Sequence, residues 1–476
     1  MSSPLLTTPL LRSRCHAAER RGRGATSGKP PRSAAGARAC GAAERERKGQ
    51  GASRWVDPLS CSALVQLILD DRKSGASSSR SHCRRRALPP ALYAENVAPF
   101  LRFDAPLPNM LYAFGGRNQG RGPLDTVEMF DSWYGRWVSR PSMPTRRAGS
   151  AAALLPDQRL MVIGGYNEKG IAEGLLATCD VYDPFTQTWD AECAAPLARK
   201  RWGHGCASLG GHVYVVGGCS LQPGRAPSEA FMETLRCCEV YSPTQNRWNS
   251  CAPLQIARSG SRVVALGERH LAAIGGCDDV FGRAETQPTV ELYDLVAGHW
   301  SLLDSRLSSP RTTAAVAPLD SRRLLVVGGA PSLASAEIYN LRLPGEGARL
   351  ASDAEAAQGD ESLRVEDMPE GRMGCQAAFL QLPAETGSYP CTDRPCIAIV
   401  GGERCDEGRD ADWPRVRQFQ SIPVFDVLEG RWRKEPERHM PAMADARTAV
   451  ALCVGVGLVH PSEAAVQPSE AALNTA

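Results

Sequence analysis

Two segments decide the fold: RWGHGCASLGGHVYVVGGCS, residues 201–220, and CCEVYSPTQNRWNSCAPLQIAR, residues 237–258, which follows after a polar insert. The first passes from small and polar residues through Gly210-Gly211 into the apolar run Val213-Tyr214-Val215-Val216, and stops at Gly217-Gly218. The second holds a β-rich run from Cys237 to Tyr241, a Ser-Pro turn, and Trp248. Short β-branched and aromatic runs punctuated by Gly and Pro signal strands and turns. The expected strands are Trp202–Leu209, Val213–Val216, Cys237–Tyr241 and Arg247–Ser250.

The pattern occurs six times along the chain. Gly pairs stand at 115-116, 164-165, 217-218, 275-276, 328-329 and 401-402, after the runs LYAF, LMVI, VYVV, LAAI, LLVV and IAIV. In five copies an aromatic precedes a Trp by seven places: Phe130/Trp137, Tyr182/Trp189, Tyr241/Trp248, Tyr293/Trp300 and Phe425/Trp432. A constant gap there, beside a variable gap from Gly pair to aromatic, implies a constrained last turn and a tolerant loop before it. Fifty-residue repeats of four short strands suggest propeller blades, which cannot bury their faces singly.

These residues resemble the kelch repeat: an apolar run ending in Gly-Gly, a Tyr-Asp-Pro turn (Tyr182-Asp183-Pro184) and a spaced Trp. The resemblance covers about residues 108–455. It implies an all-β fold, a six-bladed kelch-type β-propeller, with the Gly pairs permitting positive φ where the second strand ends. Large apolar contacts between blades are assigned to the Tyr and Trp residues.

Blade one lacks an opening strand, since FDAPLPNM precedes Leu111. Arg447-Thr448 and the run Ala449–Val454 match the first-strand pattern seen at Arg147, Arg201, Arg258, Arg311 and Arg372, so the C-terminal strand is expected to complete blade one. Blade five has Tyr339 but Glu346 where Trp is expected. Leu363 is assigned the Trp place beyond the acidic insert Gly345–Glu361, which is expected to be mobile in the least stable blade.

The expected organisation is a disordered basic leader over 1–105, the propeller over 106–459 and a disordered tail over 460–476. The leader holds one short helix over 57–71, and no complete BTB, BACK or F-box module is visible in it. Net charge is +3 for the whole chain. Residues 1–100 carry 18 Lys and Arg against 7 Asp and Glu, a net of +11, so the remainder sits at −8. Only Glu19 is acidic in the first 43 residues, so the start resembles an organelle transit peptide. The alternative is a plain basic tail on a cytoplasmic protein. No apolar run reaches the ~18 residues of a membrane helix, and the charge balance gives no reason to expect nucleic acid.

The 17 Cys lack disulfide-scaffold spacing and are expected as reduced thiols. Cys391, Cys396 and Cys405 flank a strand, where a surface loop is preferred over a metal cluster. Galactose-oxidase-like propellers hold copper with convergent Tyr and His, but the eight His here are scattered. His204 is expected buried at a strand end. The acids Asp278, Asp279, Asp406, Glu407, Asp410 and Asp412 read as solvated loop residues rather than an acid/base pair. No catalytic residue, metal or cofactor is assigned, with a galactose-oxidase or sugar-epimerase type of enzyme as the alternative class.

The resemblance implies instead that one propeller face receives a protein partner, an acidic or phosphorylated peptide segment matching Arg side chains on the rim. The strand-leading arginines and the loops after the Gly pairs share that face. The candidate contacts are Arg117, Arg147, Tyr166, Asn167, Arg201, Arg258, Asp278, Asp279, Arg311, Arg372, Arg404 and Arg447. A competing role for each strand-leading Arg is bonding to backbone carbonyls between blades. Kelch adaptors suggest a ubiquitin-ligase substrate receptor, with a cullin-type component as second partner.

Overall fold

The computed structural model describes residues 107–457, apart from 133, 191–192, 223–231, 279–285, 343–361, 388–393 and 407–414. The leader, its 57–71 helix, the tail, the blade-five insert, Asp279, Cys391, Glu407, Asp410 and Asp412 lie outside the described residues.

The described residues form six four-stranded antiparallel sheets. Blade two is typical: Ala151–Leu154, Leu160–Ile163, Cys179–Asp183 and Thr188–Asp190 in order from inside to outside. Blades three to six begin with the inner strands Gly205–Leu209, Arg262–Leu266, Ala315–Pro318 and Gln376–Leu382. Blade one takes its inner strand from the C-terminal end: Ala451–Gly457 pairs with Leu107–Phe114, setting Tyr112 opposite Cys453 and Phe114 opposite Ala451. The six inner strands touch one another cyclically, so the sheets form a closed six-bladed ring.

A circle of backbone hydrogen bonds runs around the inner end of the blades. Gly203 N–H donates to Gly149 O, Gly260 to Gly203, Thr313 to Gly260, Gly374 to Thr313, Ala449 to Gly374, and Gly149 to Ala449, at 2.8–3.1 Å. All six residues have φ between 52° and 68°. A left-handed residue turns the chain so that its N–H and C=O face opposite neighbours, which the expected continuous strand over Trp202–Leu209 did not anticipate. The regular strand begins only at Gly205.

Each recurring aromatic stands directly opposite its Trp across the last two strands, as Tyr241 does Trp248 and Phe425 does Trp432. The rings pack 5.0–5.5 Å apart. Four indoles also donate to carbonyls of the linker leading into their own blade: Trp137 to Pro441, Trp189 to Pro141, Trp248 to Ala195 and Trp432 to Glu366. The seven-residue spacing therefore positions both an apolar contact and a donor.

Blade five departs from its expected form. Leu363 does not take the Trp place: it pairs opposite Ile338 and is 60% exposed. Tyr339 is instead buried with its hydroxyl against Ser305 Oγ of blade four, 2.6 Å away. The twelve described cysteines are free thiols, most of them buried or half-buried. Cys396 lies in the core, where Arg433 Nη2 donates to its Sγ at 3.1 Å, and Cys405 is exposed, so these two do not converge.

Candidate partner-binding face

The strand-leading arginines are a buried frame. Arg147, Arg201, Arg258, Arg311, Arg372 and Arg447 are each 0–1% exposed. Every one works in two directions. Its backbone carbonyl accepts from the second glycine of the preceding blade's Gly pair: Gly116, Gly165, Gly218, Gly276, Gly329 and Gly402. Its guanidinium turns into its own blade and donates to the carbonyl of the first glycine there, Gly164 for Arg147, Gly217 for Arg201 and Gly275 for Arg258.

Burying a cation demands a full set of partners. A planar guanidinium with five donors meets that demand, which a lysine ammonium cannot. Arg258 shows the pattern: Nη1 donates to Gly275 O and Thr289 O at 2.8 and 3.0 Å, Nη2 to Thr289 Oγ1 at 2.7 Å, and Nε to Glu291 Oε1 at 3.0 Å. Asp180, Glu239, Glu337 and Glu128 play the Glu291 part for Arg147, Arg201, Arg311 and Arg447. These glutamates also accept from linker N–H groups, at Ala198, Ile256, Ser308 and Ala444, three or two residues before the Arg.

Blade six breaks the rule. Pro423 stands where the carboxylate belongs, and Glu370 from the incoming linker takes over, at 2.9 Å from Arg372 Nη2. Burial pushes Arg258, Arg311 and Arg447 below the usual arginine range, opposed by their carboxylates. Arg372 is lowered to about 10 by the same burial, its Glu370 being partly exposed. The Arg372 guanidinium also lies 4.0 Å from the Phe419 ring centroid.

The expectation that these six arginines contact a partner is therefore corrected. Most of their donors are used inside the protein, although Nε of Arg201, Arg311 and Arg447 has no hydrogen-bond partner there, and no guanidinium reaches solvent. The signal for this was present in sequence: an acid stands two places before the third-strand aromatic in five blades, as in Glu291/Tyr293 and Glu337/Tyr339.

Above the frame, the loops after the Gly pairs are tethered at their bases. Leu124, Leu176, Leu235, Gln287 and Phe419 each donate a backbone N–H to the second glycine's carbonyl, at 2.8–3.0 Å. Arg117, Tyr166, Asn167 and Arg404 are half-buried on these loops and Asp278 is exposed. Tyr166 meets Trp202 edge-on at 5.8 Å. At the seam between blades six and one, Arg117 pairs with Glu403 at 3.1 Å, Gln418 bonds Arg117 O and Gln119 N, and Arg121 pairs with Asp445. Arg121 and Gln418 lie on loops expected on this face but were not among the named contacts, and Trp202 was not foreseen there.

Among the described residues no group of three or more His, Cys, Asp or Glu is placed to hold a metal ion. His204 is fully buried, and burial holds its imidazole down to about 3, with Arg201 adding to the effect. Among the described residues no helix is long and apolar enough to cross a membrane.

The family model described as the KLHDC2/KLHL20/DRC7 Kelch-repeats domain matches residues 105–341. Kelch-like protein 25 of Xenopus tropicalis is 28% identical over 306 residues, 64% of this chain and 46% of the relative. Kelch-like protein 36 of Mus musculus is 30% identical over 208 residues, 41% of this chain and 30% of the relative. Beta-scruin of Limulus polyphemus is 29% identical over 208 residues, covering 41% and 20% of the two chains. The chain spans less than half the length of these curated relatives.

Proposed function

We propose that this chain, which belongs to the kelch-repeat β-propeller family, is a non-catalytic recognition module that binds a protein partner on its loop face. The observation that carries the reading is the division of labour between the buried arginine frame and the tethered loops above it. Such loops hold polar and aromatic side chains on a rigid support while their tips vary, a common arrangement for binding surfaces. Arg117 and Arg404 supply cationic positions for an acidic or phosphorylated segment, with Asn167 as hydrogen-bonding neighbour and the Tyr166–Trp202 pair as apolar anchor.

In this reading the cell uses the face to select a substrate for a cullin-type ubiquitin ligase in the cytoplasm. The kelch resemblance supports that role, and co-purification of a cullin subunit with the full chain tests it.

The face itself is tested by charge reversal. A partner is first identified by cross-linking and mass spectrometry, and its affinity then measured. Arg117→Glu with Arg404→Glu is expected to weaken binding at least about tenfold through like-charge contacts. Arg269→Glu with Arg323→Glu, the first in a hairpin turn and the second at the strand start beside one, both at the opposite end, should leave binding intact. The reverse result would place the partner elsewhere.

A further inference from the structure

Cys238 and Cys251 stand directly opposite each other across the last two strands of blade three. Directly opposed residues of antiparallel strands have Cα atoms about 4.5–5.5 Å apart, inside the ~4.4–6.8 Å span of disulfides. Other blades put unrelated pairs there, Val127 opposite Arg140 in blade one and Ala336 opposite Val365 in blade five. Both side chains belong to the apolar cluster shared by blades three and four, with Cys238 fully buried and Cys251 half-buried on the outermost strand. The neighbouring Cys237 is engaged differently: its Sγ accepts from Arg201 Nη2 at 3.4 Å.

We propose that Cys238 and Cys251 are a reversible disulfide pair, a modification site that takes small disulfides such as oxidised glutathione. The half-exposed Cys251 thiolate attacks one sulfur of oxidised glutathione, forming a mixed disulfide and releasing one glutathione thiolate. Cys238, as thiolate, then attacks the Cys251 sulfur and expels the second glutathione. Two protein thiols lose their protons and two electrons, and oxidised glutathione is reduced to two glutathione molecules. A hydrogen bond from Cys238 holds the Cys251 thiol below the usual range, which favours it as the first nucleophile, while the same contact and burial hold Cys238 above it. The cross-link joins the edge strand Arg247–Cys251 to Cys238–Ser242 and so closes the outer hairpin of the blade.

The folded full chain is equilibrated with oxidised glutathione, blocked with N-ethylmaleimide and digested with trypsin, which cuts after Arg236, Arg247 and Arg258. The expected product is peptide 237–247 disulfide-linked to peptide 248–258, reversed by dithiothreitol. The link should persist in Cys237→Ser, disappear in Cys238→Ser and Cys251→Ser, and raise the melting temperature of the oxidised protein. Full maleimide labelling of all three cysteines would overturn the proposal. So would a link that survives Cys238→Ser, or one lost in Cys237→Ser. If Cys238→Ser fails to fold, the half-exposed Cys251→Ser and Cys237→Ser variants decide the matter.

Discussion

Arg447 and Glu128, 319 residues apart in sequence, form a buried ion pair at the point where the two ends of the propeller meet. The guanidinium arrives with the C-terminal strand, and the carboxylate belongs to the third strand of blade one. The pair therefore couples ring closure to charge compensation. Arg447→Met leaves Glu128 buried without its cation and is expected to cost about 3–5 kcal/mol. Arg447→Met combined with Glu128→Leu should recover much of that loss, because both buried charges are gone. Urea denaturation of the single and double variants checks this.

Blade six offers a comparison within the same molecule. Glu370 is about one third exposed, whereas Glu291 is fully buried. Water compensates Arg372 in part when Glu370 is removed, so Glu370→Ala is expected to cost about 1–2 kcal/mol, against about 3–5 kcal/mol for Glu291→Ala. Equal losses in denaturant midpoint would contradict this ordering.

The backbone circle holds two residues that suit its conformation poorly. Thr313 and Ala449 sit at φ 54° and 52°, where the other four members are glycines. A left-handed conformation costs an L-residue roughly 1–2 kcal/mol, and glycine gives back ~0.5–1 kcal/mol in chain entropy. Thr313→Gly and Ala449→Gly should each stabilise the protein by up to about 1 kcal/mol. Thermal melting should move upward for each, and a drop at both sites would refute the strain.

His204 gives the protein a pH dependence. Its imidazole titrates at about 3 when folded and near 6.5 when unfolded, so the unfolded chain binds more protons between those values. Its stabilising contribution is complete above about pH 6.5 and is lost as the pH falls, at about 1.4 kcal/mol per pH unit. His204→Leu should flatten that slope in denaturation series between pH 7.5 and 5. An unchanged slope would assign the effect to other groups.

Much of the ring was legible in the chain because repetition multiplies weak signals. One Gly-Gly after an apolar run says little, whereas six such pairs with five aligned aromatic–Trp pairs specify blades. The first-strand pattern at Arg447 even points to the closing strand, since it had no other sheet to join. The arginines were harder. An Arg leading a strand onto a binding face looks the same whether it points outward or inward, until its carboxylate is found. That carboxylate lies 26–38 residues onward in four blades, and blade six hides it by using Glu370 instead. Leu363 was misplaced for a related reason: the insert erased the seven-residue spacing that fixes register, and Tyr339 found Ser305.

Truncation after Ala446 tests the closed ring most directly. It removes Arg447, the Ala449 link in the backbone circle and the inner strand Ala451–Gly457 together. The truncated protein is expected to lose cooperative thermal unfolding and most of its solubility. A melting temperature and solubility equal to those of the full chain would show that the ring does not close through its C-terminal strand.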